Sequence, residues 1–250
     1  MSRYKLQKQL EYIGDEGQEI ILRSHAAVVG CGALGGNSAS FLTRAGIGEI
    51  TLIDMDYPEE SNLHRQPLFF EHHLIGGISK VDAAAEVLKK MNSGVKINIK
   101  KGKLDLKNGE DLIGEPDIIL DGTDNLSGRY AINEYALRKK IPWVYGGVSG
   151  TVGMVMNIVP GKTPCFSCIF PEFSPDFRPK DPGDIGIIGT LPAMVSSMQV
   201  TEAIKLLLKR DDFLKTLQYF NIWSHELTQI KISPDPSCRI CGKKQPHRAS

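Results

Sequence analysis

Three groups of side chains in this sequence have the types and spacing to do chemistry: a glycine-rich turn, a set of acids and bases that follows it, and two pairs of cysteines. The turn is Gly30-Cys31-Gly32-Ala33-Leu34-Gly35, a G-x-G-x-x-G run between a β-branched stretch (25–29) and a helical one (35–46). Glycine lets a backbone approach phosphate oxygens, and the first turn of a helix offers unpaired N–H groups at the positive end of its dipole. Asp54 ends the next strand, about 20 residues on, where a carboxylate can take ribose hydroxyls. Together these features predict a bound nucleotide; the competing reading is a glycine turn used for packing alone.

The usual reading of such a turn is a nicotinamide dehydrogenase, and the residues that follow argue against it. Asp54-Met55-Asp56 runs on to Ser61-Asn62-Leu63-His64-Arg65-Gln66, Lys80 opens the next helix, and Asp121-Gly122-Thr123-Asp124-Asn125 follows a further strand. In a doubly wound sheet, ligands collect at the carboxyl ends of the strands. Asp54, Arg65, Lys80 and Asp124 are therefore expected to meet there. Arg65 and Lys80 would neutralise phosphate charge, and Asp124 would hold Mg²⁺. That set suits a triphosphate attacked at its α-phosphorus and has no use in hydride transfer. The bland reading of Arg65 and Lys80 is solvated surface charge.

Cys165-Phe166-Ser167-Cys168 and Cys238-Arg239-Ile240-Cys241 form two CxxC pairs about 70 residues apart. Four thiolates with no open position describe a structural zinc site, and an unused or redox-active thiol set is the alternative. His64, His72 and His73 are expected at the surface or in loops rather than as ligands. Cys31, the cysteine outside the pairs, reads as a small packing residue rather than a reactive thiol.

The elements that must position these groups follow from periodicity. Residues 6–22 read as one helix with Leu10, Ile13 and Ile20 on one side. Strands are expected at 25–29, 49–53, 95–99 and 117–120, and from 143, with helices at 35–46, 80–91 and 127–139. Such alternation predicts an α/β fold, a doubly wound, mainly parallel sheet covered on both faces. Beyond Gly150 come a strand (151–159), a long mobile loop rich in Pro, Gly and Asp (170–190), a helix (191–208), a hairpin (217–223 and 226–232) and a frayed tail (243–250). The formal net charge of +1 points to neither nucleic acid nor membrane surfaces. No apolar run approaches the ~20 residues needed to span a bilayer, and the polar start predicts a cytoplasmic protein.

The sequence resembles the ThiF/MoeB/HesA family, relatives of ubiquitin-activating enzymes. The resemblance is carried by GCGALG (30–35), LIDMD (52–56), SNLHRQ (61–66), SKVDAA around Lys80, DGTDN (121–125), both CxxC pairs and TEAIKLL (201–207). It implies a Rossmann-like sheet extended by antiparallel strands that hold a carrier protein and a zinc site. It implies adenylation, with ATP and Mg²⁺, of the C-terminal Gly-Gly of a small ubiquitin-fold, or sulfur-carrier, protein. Carried over by position, Gly30, Gly32, Ala33, Leu34 and Gly35 bind phosphates and Asp54 binds ribose. Asp56, Asn62, Arg65, Gln66, Lys80 and Asn125 complete the nucleotide set, Asp124 takes Mg²⁺, and Cys165, Cys168, Cys238 and Cys241 take Zn²⁺. It further implies a homodimer and one adenylation domain (1–250), with a nucleotide-binding part (1–150), a carrier and zinc part (151–242) and a tail.

Two departures qualify the resemblance. The family's R-Y-x-R-Q start here reads Arg3-Tyr4-Lys5-Leu6-Gln7, so an arginine that reaches the partner subunit's ATP is replaced by Leu6, with Lys5 or Lys8 as weaker substitutes. The 170–190 stretch lacks the cysteine that many relatives use for a thioester or acyl-disulfide, so the reaction is expected to stop at the acyl-adenylate. Any sulfur donor is expected to be a separate protein. Two other readings stay open: adenylation of a peptide or small-molecule carboxylate, and a non-catalytic nucleotide-binding subunit. Gly146-Gly147 is expected to admit the carrier tail.

Overall fold

The computed structural model describes residues 3–171 and 185–242. Eight strands form one sheet: β1 (His25–Val29), β2 (Glu49–Asp54), β3 (Lys96–Lys101), β4 (Ile118–Asp121), β5 (Trp143–Ser149), β6 (Val152–Ile158), β7 (Leu217–Asn221) and β8 (Glu226–Ile230). Their order is β3-β2-β1-β4-β5-β6-β7-β8. The first five pair parallel, and β5 through β8 pair antiparallel. The chain reverses its direction of winding between β1 and β4, the place where such sheets open a ligand crevice. The expected break at 150 falls in the β5–β6 turn, so both parts share one sheet.

Among the described residues the α-helices are α1 (Lys5–Lys8), α2 (Gly14–Arg23), α3 (Ala33–Ala45), α4 (Lys80–Met91), α5 (Gly109–Leu112), α6 (Leu126–Lys139), α7 (Phe166–Ile169) and α8 (Thr190–Leu207). β1 shows why both sheet faces must be covered. Ala26 and Val28 join one buried cluster with residues of α3, α4 and α8, while Ala27 and Val29 join another with residues of α6 and α7. Alternation with a period of two sends successive side chains into opposite layers. α4 shows how a helix is specified. Ser79 Oγ accepts the N–H of Asp82 at 3.3 Å, Asp82 sits in the first turn, and Lys89 and Lys90 sit in the last. Its Val81, Ala84, Ala85 and Leu88 face the core at helical spacing.

The expected helix over 6–22 is split: α1 ends at Lys8, residues 9–13 run as turns, and α2 begins at Gly14, whose φ of 63° is open to a residue without Cβ but strained for others. Its buried face is also different: Gly17, Gln18 and Ile21 point inward, while Leu10 and Ile20 are exposed. The expected loop at 170–190 lies largely outside the described residues; its last part returns as Ile187 bridges Gly150 and α8 begins at Thr190. The tail at 243–250 also lies outside them. Among the described residues, no helix is long and apolar enough to cross a membrane.

Candidate functional site

The glycine turn between β1 and α3 is built by close backbone contact. Gly30 has a φ of 89°, and a Cβ placed there would lie 2.5 Å from Gly122 O. A Cβ on Gly122 would lie 2.5 Å from Gly30 O and 2.8 Å from the Cα of Gly35, and one on Gly35 would collide with Gly30 O. Three glycines thus interlock where β1 and β4 end, and Gly122 N–H donates to Val29 O at 2.8 Å. This contact carries Thr123, Asp124 and Asn125 to the side of the phosphate turn.

Asp54 closes the turn from β2. Its Oδ2 accepts the Cys31 N–H at 2.6 Å and its Oδ1 accepts the Asp56 N–H at 2.8 Å. The carboxylate is therefore fixed by two main-chain donors and keeps lone pairs for a ligand hydroxyl. Lys80, at the start of α4, is buried; its Nζ sits 3.3 Å from Asp56 Oδ2, and its N–H donates to Asp56 O at 2.9 Å. Burial pushes the Cys31 thiol well above its usual range; the Asp54 carboxylate adds to that and the Lys80 ammonium opposes it. Cys31 is thus a protonated packing residue, with Asp54 and Lys80 both within electrostatic reach of it.

The 61–66 segment folds as a turn around buried Asn62, whose carbonyl accepts the N–H groups of Arg65 and Gln66 at 3.1 and 3.0 Å. Gln66 is buried beside Gly32, and its Oε1 has no hydrogen-bond partner. Arg65 bonds within its own turn, to Ser61 O at 2.7 Å and His64 Nε2 at 2.8 Å. Asp124 is exposed and accepts from Asn125 Nδ2 at 3.2 Å; Asn125 Oδ1 caps α6 by accepting the Gly128 N–H at 2.8 Å. Asp54, Asp56, Lys80 and Gln66 are thus tied by direct contact to the glycine turn or to one another. Arg65 and Asp124 reach the same end of the sheet through their backbones.

Sequence reasoning missed the frame behind this mouth. Asp121 is buried at the end of β4 and pairs with Arg129 of α6, whose Nε lies 3.2 Å from Asp121 Oδ2. Burial pushes the Asp121 carboxyl up against the pull of Arg129 and Thr123. Burial works against the Arg129 charge too, but Asp121 outweighs it and keeps the guanidinium protonated. Buried Gln199 of α8 donates to Asp121 O at 2.9 Å and Val144 O at 3.1 Å, and Ser196 Oγ donates to Leu34 O at 2.8 Å. The available signal for Gln199 was its spacing, since it stands at helical intervals from Pro192, Val195 and Ala203 on the buried face of α8. Its side chain also fills the space beside Gly146, so that glycine makes room for Gln199 rather than for an incoming tail.

The second cluster is the cysteine set. Cys165, Cys168, Cys238 and Cys241 bring their sulfurs within 4.8 Å of one another. The Sγ–Sγ distances are 3.8 Å for Cys165–Cys168, 3.6 Å for Cys165–Cys238 and 3.3 Å for Cys168–Cys241. A tetrahedron with metal–sulfur bonds of about 2.3 Å has edges of about 3.8 Å, so the donor set fits a four-thiolate ion. Burial pushes the Cys165 thiol up to about 11, which makes ion binding a proton-releasing event. The histidine expectation holds only in part: His73 is buried beside His72 and Glu86, although its Nδ1 is taken by the Phe70 N–H at 3.1 Å.

Comparison with known proteins places this geometry. Residues 4–240 match the ThiF family. The chain is 34% identical over 244 residues to the sulfur carrier protein ThiS adenylyltransferase of Bacillus subtilis, covering 97% of this chain and 72% of that one. It is 30% identical over 244 residues to the SAMP-activating enzyme E1 of Haloferax volcanii, covering 97% and 89%. Its fold is similar to that of Escherichia coli MccB, with a TM-score of 0.84 at 23% identity over 97% of this chain and 74% of that one.

Proposed function

Because the chain belongs to the ThiF family, we propose that it is an adenylyltransferase that uses ATP to activate the C-terminal glycine of a small ubiquitin-fold carrier protein. The observation that carries this reading is the mouth itself. At the ends of β1, β2 and β4, a glycine turn, a main-chain-fixed Asp54, a buried Lys80 and an exposed Asp124 share one site. Relatives named for the carriers ThiS and SAMP supply the substrate class.

In this reading the turn's N–H groups hold phosphates, Asp54 holds the ribose, and Lys80, with Asn62, Arg65 and Gln66 around it, faces the triphosphate. Asp124 binds Mg²⁺, which spreads the charge of the phosphate oxygens when bound. A carboxylate oxygen of the carrier's last glycine forms a bond to the α-phosphorus. The bridging P–O bond to the β-phosphate breaks, and pyrophosphate leaves with the electron pair. The acceptor is already an anion, so no general base is required, and the protein's work is to align it and screen repulsion. The antiparallel extension gives the carrier a surface: β8 is exposed along its length, and Trp223, Leu227 and Ile230 are exposed on that hairpin.

The cysteine knuckle takes Zn²⁺ as a structural ion. A homodimer fits the placement of the N-terminal segment. Gln7 Nε2 donates to Ala45 O at 2.9 Å and Arg3 to Met91 O at 2.8 Å, at the ends of α3 and α4 far from the mouth. A cation from this segment can therefore reach a nucleotide only in another copy. Lys8 is tied to Asp15 at 2.9 Å, which leaves exposed Lys5 as the candidate.

The test is incubation with Gly-Gly carriers, Mg²⁺ and ATP, read by intact mass. An AMP adduct on the carrier is the expected result. An adduct on a short peptide but on no carrier replaces the substrate class; ATP binding with no adduct on either refutes the enzyme.

A further inference from the structure

The Asp124 loop and the middle of β5 are separate pieces of chain, and one partly buried side chain, that of Arg129, joins them. Arg129 Nη2 donates to Thr123 O at 2.9 Å and to Gly146 O at 3.3 Å, while its Nε is held by Asp121. Its guanidinium lies 5.2 Å from the ring centroid of buried Tyr145. Asp121 is fixed in turn by Thr123, whose N–H and Oγ1 donate to Oδ1 at 2.9 and 2.6 Å. The Nε and Nη2 bonds of this fork all go to the protein's own oxygens, and the Asp121 carboxylate offsets the Arg129 charge.

We propose that Arg129 is a positioning residue: it fixes the spacing between the loop that carries Asp124 and the β5 backbone at Gly146, and so aligns the acceptor carboxylate with the α-phosphorus. This rests on the adenylation reading above. Two carbonyls and one carboxylate on two strands are reached at once by a planar group with several fixed N–H directions, a task that an ammonium cannot do. In-line transfer is sensitive to displacements of about 1 Å, which can lower a rate about 100-fold while ground-state binding persists. Arg129 makes no direct contact with Asp54, Lys80 or Gly30–Gly35, and the interlock of Gly30, Gly35 and Gly122 is made by backbone alone, so replacing Arg129 by lysine is expected to act on kcat more than on ATP affinity.

The experiment compares the full-length wild type with Arg129→Lys and Asp121→Asn. It measures Kd for ATP·Mg, steady-state kcat and KM for adenylation of the Gly-Gly carrier, and Tm. Arg129→Lys is expected to lower kcat at least tenfold, with Kd and KM for ATP within about twofold and Tm within a few degrees. Asp121→Asn is expected to give the same split less strongly, because it leaves the carbonyl bonds of Arg129 in place. A folded Arg129→Lys variant with wild-type kcat overturns the proposal. So does a variant whose kcat falls only in proportion to its folded fraction, which is the signature of a purely structural ion pair. A wild type that forms no acyl-adenylate on any carrier takes down the adenylation reading, and this proposal with it; an active wild type with an indifferent Arg129→Lys takes down this proposal alone.

Discussion

The nucleotide mouth and the cysteine knuckle belong to one sheet, yet they are held together by opposite means. In the mouth the backbone does the holding. Asp54 is fixed by the N–H groups of Cys31 and Asp56, and the turn's shape is set by the contact of Gly30, Gly35 and Gly122. In the knuckle the sulfurs lie 3.3 to 3.8 Å from one another, and the main-chain N–H groups around them, that of Asp235 on Cys168 Sγ at 3.4 Å and those of Ile240 and Cys241 on Cys238, serve thiolates that still repel one another. A site shaped by its backbone is preorganised and keeps its geometry whatever is bound. A site whose donors repel once ionised depends on the ion that reconciles them. The first arrangement suits a substrate that comes and goes, and the second suits an ion that stays.

The sharpest way to break this contrast is Asp124→Ala. Asp124 is exposed and takes no part in the core, so stability should change by no more than about 0.5 kcal/mol. ATP–pyrophosphate exchange in the presence of carrier should fall more than about 100-fold. Normal exchange would remove Asp124 from the mechanism. Cys238→Ser should do the reverse. Removing one buried ligand is expected to cost about 3 kcal/mol, a fall in Tm of about 6–12 °C. Zinc content measured by mass spectrometry should drop with it, while ATP affinity by calorimetry stays within about twofold. A loss of ATP affinity in step with zinc would show that the two regions are not held separately. Gly122→Ala tests the interlock: its methyl group would sit 2.5 Å from Gly30 O, so the turn must shift. A loss of about 1–3 kcal/mol and a roughly tenfold rise in KM for ATP are expected.

The two regions also differ in how they were legible. Motif residues proposed to meet the nucleotide, such as the glycine turn, Asp54 and Lys80, stand out because their chemistry is local in sequence: the turn follows β1, Asp54 ends β2 and Lys80 opens α4. The four cysteines stand out because CxxC spacing has few uses. The strands and the four longest helices, α3, α4, α6 and α8, follow from apolar periodicity to within about two residues of the observed bounds, while the short α5 and α7 do not. What the sequence hid is the frame: Gln199 bridging Asp121 and Val144 joins residues 78 and 55 positions apart, and the Arg129–Asp121 bond, eight positions apart, exists only once α6 folds back over the end of β4. Gly122 read as part of a motif but not as the partner of Gly30 and Gly35, since that contact exists only once β1 and β4 are adjacent. The split of the expected 6–22 helix was invisible for a different reason: residues 9–13 carry the apolar spacing of a helix but fold as turns, and the chain re-enters a helix only at Gly14, where φ is positive.

The smallest expected effect decides whether the contrast is complete, because α6 touches both regions. At its start Asn125 caps the helix beside Asp124, and further along Asn133 reaches the knuckle. Asn133 is buried; its Oδ1 accepts the Phe166 N–H at 2.9 Å and its Nδ2 lies 3.4 Å from Ser167 Oγ. Asn133→Ala strands a buried N–H inside the first CxxC pair and should cost about 1–2 kcal/mol, a few degrees in Tm, with faster zinc loss to a chelator. If the mouth is fixed by its own backbone, KM and kcat for ATP should not move, since the Asn125 cap, made to Gly128, and the Arg129 bonds, made to Asp121, Thr123 and Gly146, lie one to two turns away. A rise in KM for ATP in a folded, zinc-loaded Asn133→Ala protein would instead make α6 a rigid link between the two. The backbone contacts of the glycine turn would then be insufficient to hold the mouth alone.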